Sequence, residues 1–101
     1  MISALVYVTC DPERSVGFDR IAFRIAQFPE VETVGVISGR ADLALEVKGK
    51  TMEQITHFIT EIIAPMKGVT ATETHFFMKM YKIKGKIKGE IPKVNRLPIA
   101  P

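Results

Sequence analysis

Two histidines, one cysteine and a few acidic residues are the groups of this 101-residue chain best equipped for chemistry. His57 and His75 each lack a Cys or His neighbour at the spacing that holds a metal ion. Cys10 has no adjacent histidine to draw off its proton, and its apolar surroundings in sequence point to a buried, inert thiol. Asp11 and Glu13 lie close together, but beside Pro12 and Ser15 they read as turn and helix-start residues. Paired-carboxylate catalysis needs two acids converging on one cleft, which nothing in this spacing arranges. No catalytic residue, metal site or cofactor is therefore expected.

One pattern imitates a phosphate loop. Ala44-Leu45-Glu46-Val47-Lys48-Gly49-Lys50-Thr51 fits it with Ala in place of the first Gly. A phosphate loop works by curling free backbone N–H groups around the anion. Residues 44–48 alternate as a strand, which ties those N–H groups into a sheet, while Lys50-Thr51 reads as a turn and a helix cap.

The elements that must position any site follow from periodicity. Residues 2–10 alternate, with Ile2, Ala4, Val6, Val8 and Cys10 on one face and Ser3, Leu5, Tyr7 and Thr9 on the other. Asp11-Pro12 ends that strand. From about Ser15 the spacing becomes helical, with Phe18, Ile21, Ala22, Ile25 and Phe28 in one stripe before Pro29. Residues 31–38 and 42–48 read as two strands joined by a short turn in which Gly39 supplies a positive φ, forming a hairpin. Thr51 and Gln54 have capping-box spacing. Met52, Ile55, Ile59, Ile62, Ile63 and Met66 then form the apolar stripe of a second helix, closed by Pro65 and Gly68. Residues 69–83 read as one long final strand. On it Thr72, Thr74, Phe76, Met78 and Met80 face one way, and Glu73, His75, Phe77, Lys79 and Tyr81 the other.

The order strand, helix, strand, strand, helix, strand predicts an α+β fold: a ferredoxin-like βαββαβ sandwich with a four-stranded antiparallel sheet and two helices on one face. The helices cover one sheet face only. The other face, on which Val34 and Val36 are expected, is left with apolar side chains, and a second copy packed sheet to sheet would cover them. Residues 1–83 form this domain, and residues 84–101 a basic arm containing Pro and Gly.

Length and composition agree with one domain, 47% hydrophobic and 25% charged. No apolar run approaches the ~20 residues that cross a bilayer. Residues 1–10 lack the basic start of a signal peptide, and a lone cysteine suits a reducing compartment. A cytoplasmic location and no membrane partner are expected. The net charge of +3 is uneven. Residues 1–81 carry eight Lys/Arg against ten Asp/Glu, a net −2, while residues 82–101 carry six against Glu90, a net +5. The domain body is acidic and lacks an aromatic–basic stripe, so it is not expected to bind DNA directly. Ile83, Ile87, Ile91, Val94, Leu97 and Ile99 recur through the basic arm, which favours contact with another subunit over a purely electrostatic role.

Val31-Glu32-Thr33-Val34-Gly35-Val36-Ile37-Ser38-Gly39-Arg40-Ala41-Asp42-Leu43-Ala44-Leu45 resembles the "V-x-x-V…G-x-x-D-L" segment of the effector-binding domain of Lrp/AsnC regulators. Gly68-Val69-Thr70-Ala71-Thr72-Glu73-Thr74 resembles that family's "G-V-x-x-T-x-T" entry into the last strand. The resemblance covers residues 2–82. It implies a dimer, with further association into a ring of dimers, and a small amino-acid-like effector held between dimers. The effector-binding residues it implies are Gly39, Arg40, Ala41, Asp42, Thr72 and Thr74. Asp42 would accept from an ammonium, or else only cap the turn; the threonines and the backbone at Gly39 to Ala41 would donate to a carboxylate. Family members usually carry an acidic or small residue after the glycine and an aromatic before the aspartate. Arg40 and Ala41 depart from that, and Arg40 would clamp a ligand carboxylate or neutralise Asp42. Full-length members begin with a helix-turn-helix, whereas this chain opens on the first strand. The resemblance thus implies a stand-alone, non-enzymatic sensor of an amino acid or small metabolite, acting on assembly and transcription through a helix-turn-helix paralogue. Two alternatives are a small enzyme of the dimeric α/β-barrel type, using His75 and Tyr81, and a ligand-free assembly module.

Overall fold

In a computed structural model, residues 1–11 and 17–90 are described. Glu13, the expected helix start at Ser15 and the arm residues from Ile91 to Pro101 lie outside the described residues. The elements are β1 (Ile2–Cys10), α1 (Phe18–Ala26), β2 (Val31–Val36), β3 (Leu43–Gly49), α2 (Met52–Phe58), β4 (Val69–Phe76), β5 (Lys82–Ile83) and β6 (Lys86–Ile87). The first four strands form an antiparallel sheet in the order β2-β3-β1-β4. This is the expected α+β sandwich.

The alternation of β1 builds the core directly. Ala4, Val6 and Val8 are fully buried and stand opposite Val47, Leu45 and Leu43 of β3. Above them α1 places Ile21 and Ile25, and α2 with its continuation places Ile55, Phe58, Ile59 and Ile63. Phe28 and Phe58 meet edge to face, 5.5 Å between ring centres, tying the end of α1 to α2. Thr51 caps α2, its hydroxyl accepting from the Gln54 N–H at 3.0 Å. Gln54 returns the bond one residue further back than a capping box would, to the Lys50 N–H at 2.6 Å.

Three features depart from the simple periodic reading. After Phe58, α2 widens into a π-helical turn over Ile59–Ile63, with the Ala64 N–H reaching the Ile59 carbonyl. The extra residue in that turn rotates the stripe. Ile59 and Ile63 face inward, while Ile62, expected on the apolar face, is 39% exposed; Met52, also expected there, lies in the first turn of α2, ahead of the π-helical turn, and is 40% exposed.

The second departure corrects the placement of Val34 and Val36. A register shift between Val31 and Thr33 leaves Val31 opposite Val47 and Val34 opposite Leu45, both on the helix-covered side. Val34 packs against the core. Val36 pairs with Leu43 on the same side and is 68% exposed. The open face therefore owes nothing to these valines. It carries Leu5, Tyr7 and Ala44 among Glu46, Lys48, Glu73 and His75.

Third, the final strand does not run to residue 83. β4 ends at Phe76, and one more bond, Phe77 N–H to the Ser3 carbonyl, prolongs its pairing. Residues 82–87 then turn back on themselves as a hairpin, in which Lys84 and Gly85 have φ of 48° and 84°. Two successive left-handed residues are what a tight hairpin turn requires, and Gly85 adopts one without strain. The hairpin straddles residues 83 and 84, between the expected domain and arm.

Candidate functional site

The connection from β2 to β3 is built from bonds made at its base. The Ile37 N–H donates to the Asp42 carbonyl, and the Asp42 N–H donates to the Val8 carbonyl of β1, each at 3.0 Å. Gly39, at φ 118°, makes the bend that an L side chain would resist. Ala41 tucks inward at 7% exposure, which leaves Arg40 projecting from the rim.

Asp42 is fully engaged with the scaffold on its main chain and partly on its side chain. Its Oδ2 accepts from the Cys10 N–H at 2.8 Å. The pairing of β1 with β4 shifts register between Thr9 and Cys10, so this N–H falls where the ladder is irregular, and the carboxylate satisfies it. The same closeness bears on the thiol. Burial pushes the Cys10 thiol up from its ordinary range, and the negative charge of Asp42 pushes it further the same way.

Arg40 crosses the end of the sheet to edge strand β4, where its Nη2 lies 3.5 Å from Glu73 Oε1. The other oxygen of Glu73 meets His75 Nε2 at 2.6 Å. Tyr7, on the neighbouring strand, contacts the His75 ring edge to face at 5.7 Å. Arg40, Glu73, His75 and Tyr7 thus form one polar row from the loop onto the open face. Thr72 and Thr74 stand opposite Val8 and Val6 and so share the helix-covered side, half-buried. The expected site residues are therefore divided. Gly39 to Asp42 form one loop, and the threonines lie on the other side of β4 from the residue that Arg40 meets. Sequence reading missed the contact between Arg40 and Glu73. Alternation puts Glu73 and His75 on one face, but no local pattern shows Arg40 reaching across to them.

Other sequence candidates take up structural roles. Residues 44–49 of the phosphate-loop imitation pair with β1 and β2 as β3, and Thr51 caps α2. His57 is exposed on α2, beside a groove of about 450 Å³ that also touches Met52, Glu53 and Phe76. Tyr81 lies beyond the end of β4, so strand alternation does not bring it beside His75; its ring instead has Lys79 Nζ 5.1 Å from its centre. Among the described residues, no three His, Cys, Asp or Glu side chains gather as metal ligands, and no helix is long and apolar enough to cross a membrane.

Comparison with known proteins agrees on one family. The model of the Lrp/AsnC ligand binding domain matches residues 3–87. An uncharacterised helix-turn-helix-type transcriptional regulator of Bacillus subtilis, YugG, is 35% identical over 100 residues, covering 99% of this chain and 60% of that protein. An uncharacterised regulator of Pyrococcus horikoshii, PH0140, is 28% identical over 81 residues, covering 80% of this chain and 49% of its own length. The chain thus spans about half to three-fifths of these relatives. Among solved structures, TTHA0845 from Thermus thermophilus superimposes with a TM-score of 0.73 at 29% identity, over 82% of this chain and all of that one. The transcriptional regulator NMB0573 of Neisseria meningitidis, solved as a complex with L-Met, shares the fold, with a TM-score of 0.69 at 21% identity over 86% of this chain and 56% of that one.

Proposed function

Because the chain belongs to the Lrp/AsnC ligand-binding-domain family, we propose that it is a cytoplasmic, non-enzymatic sensor of an amino acid or small metabolite. It modulates oligomer assembly and, through a helix-turn-helix paralogue, transcription. The observation that carries this reading is the strapped loop. Asp42 ties residues 37–42 to β1 by main chain and side chain, so Arg40 and the backbone of Gly39 to Ala41 are presented on a rigid rim. Preorganised donors lower the ordering cost of binding a small polar ligand. Gly39, Arg40, Ala41 and Asp42 form the effector loop, with Thr72 and Thr74 contributing from β4.

Residues 1–83 form the sensing unit. A second copy covers the open sheet face, dimers associate further, and residues 84–101 reach a neighbouring subunit. Effector binding and assembly then share one coupling free energy, ~1–3 kcal/mol in ordinary allosteric proteins. The acidic body takes no direct part in DNA binding.

A thermal-shift screen of the twenty amino acids, with sedimentation in parallel, tests this. L-methionine, the ligand of the Neisseria neighbour, is the first compound to try. A ligand at ~100 times its Kd should add ~2.7 kcal/mol of apparent stability and move the assembly state. No shift with any amino acid at millimolar concentration would replace the sensing reading with a ligand-free assembly module.

A further inference from the structure

Residues 74–89 contain Lys79, Lys82, Lys84, Lys86 and Lys88 and no Asp or Glu. The fold gathers the last four on one short ribbon, the β5–β6 hairpin. Lys82 stands opposite Ile87 and Ile83 opposite Lys86, and the Lys88 N–H donates to the Tyr81 carbonyl at 2.8 Å, which prolongs the pairing toward the base. Successive pairs of a ribbon point to opposite faces. Lys82 therefore lies on one face, Lys86 on the other, and Lys84 at the tip. Ile83 is half-buried, while all four lysines are exposed. Among the described residues no carboxylate oxygen comes within ion-pair distance of any of them. Lys84 feels Glu32 only at longer range.

The turn adds a second observation. Lys84, at φ 48°, is the one non-glycine residue with a positive φ among the described residues. Gly, Asn and Asp take this conformation readily in hairpin turns. A lysine is held there against the preference of the backbone, and such outliers gather at binding and switch sites.

We propose that the β5–β6 hairpin is a contact for the phosphates of duplex DNA. Arg, Asn and Gln, the side chains that commonly read base edges through paired bonds, are absent from residues 79–90, so the contact is independent of base sequence. A lipid surface is the other extended polyanion, and it suits a structure with one apolar and one basic face. Here the lysines occupy both faces, and the tip is Lys84-Gly85. A duplex lines its groove with phosphates on two sides, and the major groove admits a two-stranded ribbon. The net −2 of residues 1–81 keeps the rest of the domain off the DNA. The apolar residues from Ile91 onward are left to contact a neighbouring subunit. Beside a helix-turn-helix paralogue the hairpin adds affinity without adding specificity. None of this depends on whether the chain senses an amino acid.

Fluorescence anisotropy of the full chain with labelled duplexes, between about 50 and 200 mM salt, tests the assignment. The logarithm of the affinity should fall linearly with the logarithm of the salt concentration, equally for unrelated base sequences, with a slope of about −3 to −4 for four lysines. Lys84→Gln with Lys86→Gln should reduce that slope by about two and weaken every duplex alike; changing the same pair to Arg should preserve both. Lys84→Asn should reduce the slope by about one and raise the thermal midpoint, since Asn suits the turn. A purely structural role for Lys84 leaves the slope where it was. Lys50→Gln with Lys67→Gln, exposed lysines of the body, should change nothing. Wild type that binds no duplex at the lowest salt overturns the proposal, and so does a Lys84→Gln, Lys86→Gln protein that binds like wild type. Tighter binding to phosphatidylglycerol vesicles than to the duplex, lost in that same variant, overturns it in favour of a membrane. Sedimentation of each variant separates this contact from the subunit one: if samples matched in assembly state bind DNA equally, the lysines act through assembly and the proposal falls.

Discussion

At the residue scale, two carboxylates near one loop do different work because of what already occupies their oxygens. Asp42 accepts from a backbone N–H through one oxygen, whereas Glu73 meets two side chains, His75 with one oxygen and Arg40 with the other. The contact that fixes Asp42 also affects Cys10, whose thiol is raised first by burial and then by the Asp42 charge. The folded protein thus keeps the thiol proton to higher pH than the unfolded chain does. Above the ordinary thiol pKa of about 8.5, the unfolded chain binds fewer protons, so this contribution to stability falls as pH rises from there toward the raised folded value. Urea denaturation should therefore show wild type losing stability faster than Cys10→Ala between about pH 8.5 and 10, even though the variant is weaker at pH 7 through lost packing. Parallel curves would remove Cys10 from the alkaline limb.

Elements here are placed by tight contacts at their ends. Gly49 closes β3 just before α2, and a Cβ built on it would sit 2.9 Å from Ile55 Cγ1 and 3.0 Å from Gln54 Oε1. Ile55 is buried in the core and Gln54 is bonded to Lys50, so neither yields freely. Gly49→Ala should cost about 1–3 kcal/mol, as overpacking does, read as a lower urea midpoint with an unchanged slope. An unchanged midpoint would show that Ile55 rotates away without penalty. The β5–β6 hairpin makes a looser connection. Glu32, bonded to Lys48 at 2.6 Å, is held below the ordinary carboxylate range chiefly by that lysine, with a further contribution from the charge of Lys84 in the hairpin turn. Lys84, in the hairpin that follows β4 at one edge of the sheet, therefore lies within electrostatic reach of Glu32 on β2 at the other.

For the whole molecule, the question is what covers the open face. Leu5 stands near its middle, opposite Glu46 on one side and His75 on the other. Leu5→Lys leaves the helix-side core untouched. It should convert the assembly to a folded monomer by sedimentation if a second copy packs there, since an interface does not bury an unpaired charge without loss. Val34→Asp, by contrast, puts its charge against the core and should unfold the chain. Leu5→Lys protein with unchanged sedimentation would move the subunit contact off this face.

The order of elements, the inward faces of β1 and β3, the cap of α2 and the bend at Gly39 were all legible in the sequence, and so was the family, through residues 31–45 and 68–74. These depend on alternation, helical spacing and the conformational needs of single residues, which act over a few positions of chain. Tertiary structure alone decided which way Val34 faces, which isoleucine of the π-helical turn is left outside, where the last strand stops, and that Arg40 meets Glu73 while Asp42 meets Cys10. Each of those outcomes turns on a register or a single extra residue. One such step sends a side chain to the opposite face, and its partner is then chosen by strands more than thirty residues away, where no local pattern can record it.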